Sequence, residues 1–343
     1  MEAESTRVQA ECLEECHTVH KEQRMGDKTT VEIGRLARVV SISFGNGKSL
    51  PEISAVVDRE GLRGADLIAL PETWLGQRDT PERIDGPTIS AMSSLARTHR
   101  TYIVCPIDRL DGERRLNSAV VLDRNGDVAC VYDKVYPYWS EFDLDPVVEV
   151  GNKPVVVNTD FGCVGVAICF DVNFPDVWQQ LADQGAELVI WTSAYSAGIT
   201  LQAHALIHHF AIVSSTQTGD CQVYDITGQR TLDDKSADIT VSRVTLDLDR
   251  GIYHENFNLV KRDKLLSECG DDVALEQSLA REQWFVLKAI RPGVRARSLA
   301  KRYGLEELRE YKARSRREID QRRLDQYRSN PQNPSKAPRL PRP

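Results

Sequence analysis

Short apolar runs alternate with amphipathic stretches along most of the chain. Ala37–Phe44 predicts a first strand, and Leu50–Leu62 predicts a helix. Asp66–Leu70 is a short apolar strand that runs straight into Pro71 and Glu72. A helix fits Thr88–His99 and a strand fits Tyr102–Pro106. Asn117–Leu122 and Val128–Tyr132 flank the turn sequence Asp123–Asp127, whose Asn125-Gly126 is a strong hairpin signal. Val155–Val157 and Cys163–Ile168 flank a second turn at Asp160-Phe161-Gly162. After Pro175 the spacing turns helical, with Val177, Trp178, Leu181 and Ala182 on one face. A strand at Glu187–Trp191, a helix at Leu201–His209 and strands at Ala211–Ser215, Cys221–Asp225 and Val241–Leu248 complete the pattern.

Strands alternating with helices and interrupted by hairpins predict an α/β domain with mixed sheets. No internal repeat at a solenoid period is present. Residues 1–34 are polar and weakly periodic, and read as an N-terminal extension to a domain at 35–260. Residues 261–328 are helical in composition, broken at Pro292-Gly293, and read as a helical C-terminal extension. Residues 329–343 are Pro-rich and predict an extended, disordered tail.

Composition narrows the class. With 343 residues and 41% hydrophobic content, the chain has enough apolar material for a substantial core. No run of about 18 apolar residues predicts a membrane span. The acidic N-terminus lacks the apolar segment of a secretory signal, and the eight cysteines are scattered. They read as reduced thiols in a cytoplasmic protein. A net charge of -7 weighs against nucleic acid as the main partner. Cys12, Cys16, His17 and His20 cluster, but their spacing fits no common zinc module, and no metal is expected.

The candidate chemistry sits at strand ends. Cys169 closes the buried run Val164–Ile168, just before a turn and a helix. A strand fixes such a sulfur while the turn exposes it beside backbone N–H groups. Glu72 and Lys134 also close apolar strands, and Glu141 follows Lys134 by seven residues. A thiol can attack a carbonyl once deprotonated, a carboxylate can take its proton, and an ammonium can hold the developing oxyanion. Singly, each of these has an ordinary reading, as an inert buried thiol or a surface charge. Together they suit covalent hydrolysis of a C–N bond.

Leu70-Pro71-Glu72, Asp133-Lys134 and the run Ile168–Pro175 resemble the nitrilase superfamily of carbon–nitrogen hydrolases, over about residues 36–250. The resemblance places that family's Glu–Lys–Cys triad on Glu72, Lys134 and Cys169, and its frequent second glutamate on Glu141. It implies a four-layer αββα sandwich, a homodimer or higher homo-oligomer, a cysteine thioester intermediate and no cofactor. Cys169-Phe170-Asp171 is closer to the amidase and carbamoylase branches than to the Cys-Trp-Glu of true nitrilases. Asn173 stands where several amidases carry an Arg that clamps a substrate carboxylate, so a neutral or polar small-molecule amide is expected. Trp74, Tyr138, Trp139, Phe170, Asn173, Phe174 and Tyr195 are candidate substrate contacts by their proximity to the triad.

Other readings stay open at this point. A nitrile or an N-carbamoyl compound is an alternative substrate. Residues 295–328 are basic and have a helix-turn-helix texture around Gly304, which suits a nucleic-acid-binding or scaffold role. Interspersed acids make a salt-bridged solvated helix the stronger reading there. His204 and His208 share a helix face at i, i+4, with His209 adjacent, but no acidic or thiol partner is near in sequence.

Overall fold

Strand alternation sets the layering. In β1 (Leu36–Phe44), Ala37 and Val39 face one way while Val40, Ile42 and Phe44 face the other, and both sets are buried. Such a strand needs a partner layer on each side. The structure described here is a computed structural model, covering residues 32–76 and 81–329. The Cys12–His20 cluster, the N-terminal extension up to residue 31 and the Pro-rich tail from residue 330 lie outside the described residues.

β1 belongs to a seven-stranded sheet with β2 (Leu67–Ala69), β3 (Glu82–Arg83), β4 (Tyr102–Asp111), β5 (Arg114–Leu122), β6 (Val128–Asp133) and the later β13 (Ile239–Asp247). Its order is β13-β1-β2-β4-β5-β6, with β3 beside β4. A six-stranded sheet contains β7 (Val156–Asn158), β8 (Cys163–Ile168), β9 (Leu188–Ser193), β10 (Ala211–Thr216), β11 (Asp220–Tyr224) and β12 (Arg230–Lys235), in the order β12-β11-β10-β9-β8-β7. Each sheet has a parallel centre, β1-β2-β4 in one and β8-β9-β10 in the other, flanked by antiparallel strands.

The inner faces meet through Val39, Leu67, Val104 and Val121 on one sheet and Val164, Ile168, Ile190 and Val213 on the other. Helices α1 (Leu50–Leu62) and α2 (Pro87–His99) cover the outer face of the first sheet through Ile53, Val57, Met92 and Ala96. Helices α3 (Pro175–Asp183) and α4 (Ile199–His208) cover the second through Trp178, Leu181, Leu201 and Ala205. The stack is the expected αββα sandwich. At one end of the inter-sheet layer, hydroxyls replace aliphatics. Ser41 donates to the Ser214 carbonyl at 2.7 Å, and Ser215 to the Ile42 carbonyl at 2.9 Å.

The C-terminal part differs in detail from the all-helical expectation. Helices α5 (Glu255–Cys269), α6 (Ala296–Arg302) and α7 (Leu308–Ser329) are present. A third sheet, β14 (Gly251–His254), β15 (Val273–Leu279) and β16 (Trp284–Ala289), lies among them in the order β14-β16-β15. Both faces of β16 are buried, with Phe285 and Leu287 in one cluster and Val286 in another. Its alternation is therefore masked by a continuous apolar run, which sequence alone cannot tell from a buried helix. The expected boundary at residue 260 falls inside α5. β12 was also missed: its polar sequence forms an exposed edge strand.

This part packs on the sandwich through charged side chains. Arg297 pairs with Glu187 and, at 2.6 Å, with Glu307. Arg309 donates to the Ala186 carbonyl at 2.6 Å. Among the described residues, no helix is long and apolar enough to cross a membrane.

Ile190 sits fully buried where the two sheets meet. Ile190→Ala should cost about 2–5 kcal/mol, because the cavity between two sheets collapses poorly. Chemical denaturation checks this, with an unchanged midpoint as the contrary result.

Candidate active site

The central strands of both sheets deliver their carboxyl ends to one place. β2 leads to Glu72, β8 to Cys169, β9 to Ser193 and Ala194, and β10 to Gln217. Ligands of open α/β sheets collect at such ends. A cavity of about 880 Å³ opens there and is lined by Glu72, Lys134, Glu141, Cys169, Ala194 and Gln217 among others.

Cys169 starts a short 3₁₀ turn, Cys169–Asn173, with φ at +46°. A non-glycine residue in that region costs on the order of 1–3 kcal/mol, so its surroundings must hold it there. Buried Asp171 does much of this. Its carboxylate accepts from the Ile168 N–H at 2.9 Å, the Tyr132 hydroxyl at 2.6 Å and the Tyr136 N–H at 3.0 Å. Burial pushes the Asp171 carboxyl up to about 6, against the pull of these donors, so it is ionised at neutral pH. Trp178 donates to the Asp171 carbonyl at 3.0 Å, and Trp191 to the Cys169 carbonyl at 3.1 Å. Tyr132 and Tyr136 each lie two residues from Lys134. One carboxylate thus ties the cysteine turn to the segment that carries the lysine.

Lys134 is 1% exposed. Its Nζ donates to Glu72 Oε1 at 2.8 Å and to Glu141 Oε2 at 2.6 Å. Burial alone would lower an ammonium's pKa, but the Glu72 and Glu141 carboxylates outweigh it and hold Lys134 charged. For Glu141, burial pushes up, while Lys134, Asn117 and the Tyr138 N–H win and hold it below the usual carboxylate range. The Tyr138 N–H reaches Glu141 Oε2 at 2.7 Å, which fixes the side chain within its own 3₁₀ turn, Trp139–Asp143. Arg115, paired with Asp108, donates to the Asp145 carbonyl at 3.1 Å and anchors the end of that loop. The second oxygen of Glu72, Oε2, accepts from the Ala194 N–H at 2.9 Å, and Gln217 donates to the Glu72 carbonyl.

The Cys169 thiol is pushed up, first by burial and then by the Glu72 carboxylate, with Lys134, Ser193 and Ala194 pulling the other way. The resting sulfur is therefore protonated. A base must remove its proton as substrate is attacked, and Glu72 is the carboxylate most strongly coupled to it.

Four of the expected substrate contacts line the cavity: Tyr138, Phe170, Asn173 and Tyr195. Trp74 does not. It is 1% exposed, its ring meets Phe44 edge-on at 5.9 Å, and it belongs to the core beneath α1 and α2. Its neighbours Glu72, Thr73 and Leu75 reach the cavity instead, so sequence proximity misled. Trp139 is 74% exposed against Phe142, and Phe174 stacks on Tyr136 at 3.6 Å; neither lines the cavity. His204 stacks on Trp178 at 4.2 Å, with Nε2 at 2.8 Å from the Val172 carbonyl. Burial lowers His208 to about 4 and His209 to about 3, so both are neutral. The His209 Nε2 lies 2.7 Å from the Lys312 ammonium, which donates to it. Among the described residues, no group of three or more His, Cys, Asp or Glu is placed to hold a metal. Asn117 and Gln217 were not anticipated. Asn117 was visible as the polar residue that opens the expected strand Asn117–Leu122.

An αββα sandwich with a buried lysine, two glutamates and a cysteine at its strand ends defines a protein of the nitrilase superfamily. The chain belongs to the carbon-nitrogen hydrolase family, whose profile matches residues 46–251, more than half its length. It is 26% identical over 198 residues to a deaminated glutathione amidase of Synechocystis sp., covering 50% of this chain and 72% of that protein. It is 26% identical over 189 residues to a formamidase of Bradyrhizobium sp., covering 50% and 54%. An amidase from Nesterenkonia sp. shares the fold with a TM-score of 0.56 at 20% identity, covering 69% of this chain and all of that one.

Asp171→Asn replaces one acceptor oxygen with a donor facing N–H and O–H groups that are themselves donors. It should cost about 1–3 kcal/mol for each bond left unmade and lower turnover with it. Thermal unfolding of the variant checks this; wild-type stability would contradict the assigned role.

Proposed function

We propose that the protein hydrolyses the C–N bond of a small linear amide to a carboxylic acid and ammonia, through a thioester on Cys169. The observation that carries this reading is the Lys134 ammonium, buried between Glu72 and Glu141 and facing the cavity that Cys169 lines. Glu72 takes the thiol proton while the sulfur attacks the amide carbon. Lys134 and the Phe170 N–H hold the oxyanion, a type of stabilisation worth about 3–4 kcal/mol for a well-placed donor. The C–N bond then breaks, Glu72 passes its proton to the leaving nitrogen, and ammonia departs. Glu72 next deprotonates a water that attacks the thioester, releasing the acid and restoring the thiol. Glu141 holds Lys134 in place.

Amidase names among the relatives support an amide over a nitrile. The Nesterenkonia sp. enzyme, as a cysteine-to-alanine mutant, has been captured with butyramide. Asn173 supplies no charge for a substrate carboxylate, and the phenol and amide groups of Tyr138, Tyr195 and Asn173 suit a neutral polar acyl group. We also propose that the chain works as a homo-oligomer. Ile199, 83% exposed, and Ile207 on α4 support an apolar contact there.

Ammonia release from a panel of short amides, nitriles and N-carbamoyl compounds is the direct test. Amides should turn over, and Cys169→Ala and Cys169→Ser should each lower kcat by about 10⁴-fold or more. Turnover that survives both substitutions would remove the mechanism. Turnover confined to nitriles would reassign the substrate.

A further inference from the structure

The hydrogen bonds among the buried charges close into a ring. Asn117 Nδ2 donates to Glu72 Oε1 at 2.7 Å and to Glu141 Oε1 at 2.7 Å. Lys134 Nζ bonds the same two carboxylates from the other side, at 2.8 and 2.6 Å. Each glutamate thus receives one bond from the ammonium and one from the amide. Both hydrogens of the Asn117 amide nitrogen are committed. The residue is 1% exposed, and its Oδ1 is buried with no hydrogen-bond partner among the described residues. The amide is thus oriented by its two carboxylate acceptors, through its nitrogen.

A neutral donor does what a second cation could not. It orients two carboxylates without adding positive charge that would weaken Glu72 as a base. Its backbone also takes part, since the Lys134 N–H donates to the Asn117 carbonyl at 2.9 Å. β5 therefore sets the height of both Lys134 and the amide that spaces its two partners. With Ala194 N–H on Glu72 Oε2, both oxygens of Glu72 have fixed partners and the carboxylate has one orientation.

We propose that Asn117 is a positioning residue of the reaction: its side-chain amide locks Glu72 and Glu141 at a set spacing around Lys134, keeping the base aimed at the Cys169 sulfur. This rests on the reading of Glu72 as the base. Removing the donor leaves Glu72 Oε1 with Lys134 alone and unties Glu72 from Glu141, and a misplacement of about 1 Å can cost on the order of 100-fold in rate. Glu141, which counts Asn117 among the donors that lower its pKa, should then ionise at higher pH.

The test compares Asn117→Leu, close to asparagine in size and without a donor, and Asn117→Asp, which beside two carboxylates keeps at most one O–H to donate, with wild type and Glu72→Gln. Each is measured for kcat, KM and the pH dependence of kcat, on protein whose fold is checked by circular dichroism. The expected result for both Asn117 variants is a kcat lower by about 10–100-fold, KM within about threefold, and the acid limb of the profile moved to higher pH. A purely structural role would change the folded fraction and leave the pH profile of the folded enzyme in place, which overturns the proposal. Wild-type kcat overturns it as well. Should Asn117→Leu fail to fold, Asn117→Ser, which leaves space for a donating water, carries the same comparison: a kcat between those of Asn117→Asp and wild type supports the proposal, and full activity overturns it. An active Glu72→Gln removes the base assignment itself, whatever the Asn117 variants do.

Discussion

The structure depends on one buried ammonium. An isolated charge in a protein interior is too costly to keep, and it would shed its proton instead. Lys134 keeps its charge because Glu72 and Glu141 stand within 2.8 Å of it. The arrangement is reciprocal: removing one member of such a buried set leaves an uncompensated charge, typically a penalty of about 3–5 kcal/mol. Stability and chemistry therefore draw on the same three side chains. Burial first, and then the Glu72 carboxylate, keep the neighbouring Cys169 sulfur protonated at rest and make deprotonation part of the reaction itself.

The two mixed sheets make this grouping possible. Parallel strands at the centre of each sheet all end on one side, so residues 72, 169, 194 and 217 arrive together although the chain separates them widely. Antiparallel β6 supplies Lys134 from the flank. Asp171 then ties the cysteine turn to β6 and the segment after it through Tyr132 and Tyr136, and braces the turn itself through the Ile168 N–H. The cavity floor is held by short polar links between the strands.

Among the described residues, the C-terminal part adds a third sheet and three helices, joined to the sandwich by Arg297, Arg309 and Lys312. Lys312 donates to a neutral His209 and lies over the Trp284 ring at 5.3 Å. The basic character of α7 is thus partly used in docking it to the sandwich. The histidine pair at i, i+4 likewise serves packing, with His204 stacked on Trp178.

Much of this was legible in the sequence. Period-two and period-3.6 patterns marked the layers, since a strand buried on one or both faces must repeat its apolar positions. The chemistry showed as ionisable side chains closing apolar strands, a placement that local structure rarely requires. Hidden were the contacts that depend on direction and on partners far along the chain. Trp74 and Glu72 are two residues apart, yet one enters the core and the other the cavity, because the turn after β2 sends them to opposite sides. β16 concealed its alternation by being buried on both faces. Asn117 drew no attention because an amide has no charge to declare itself. Its meaning comes from two carboxylates, 45 and 24 residues away, that only the folded chain brings to its nitrogen.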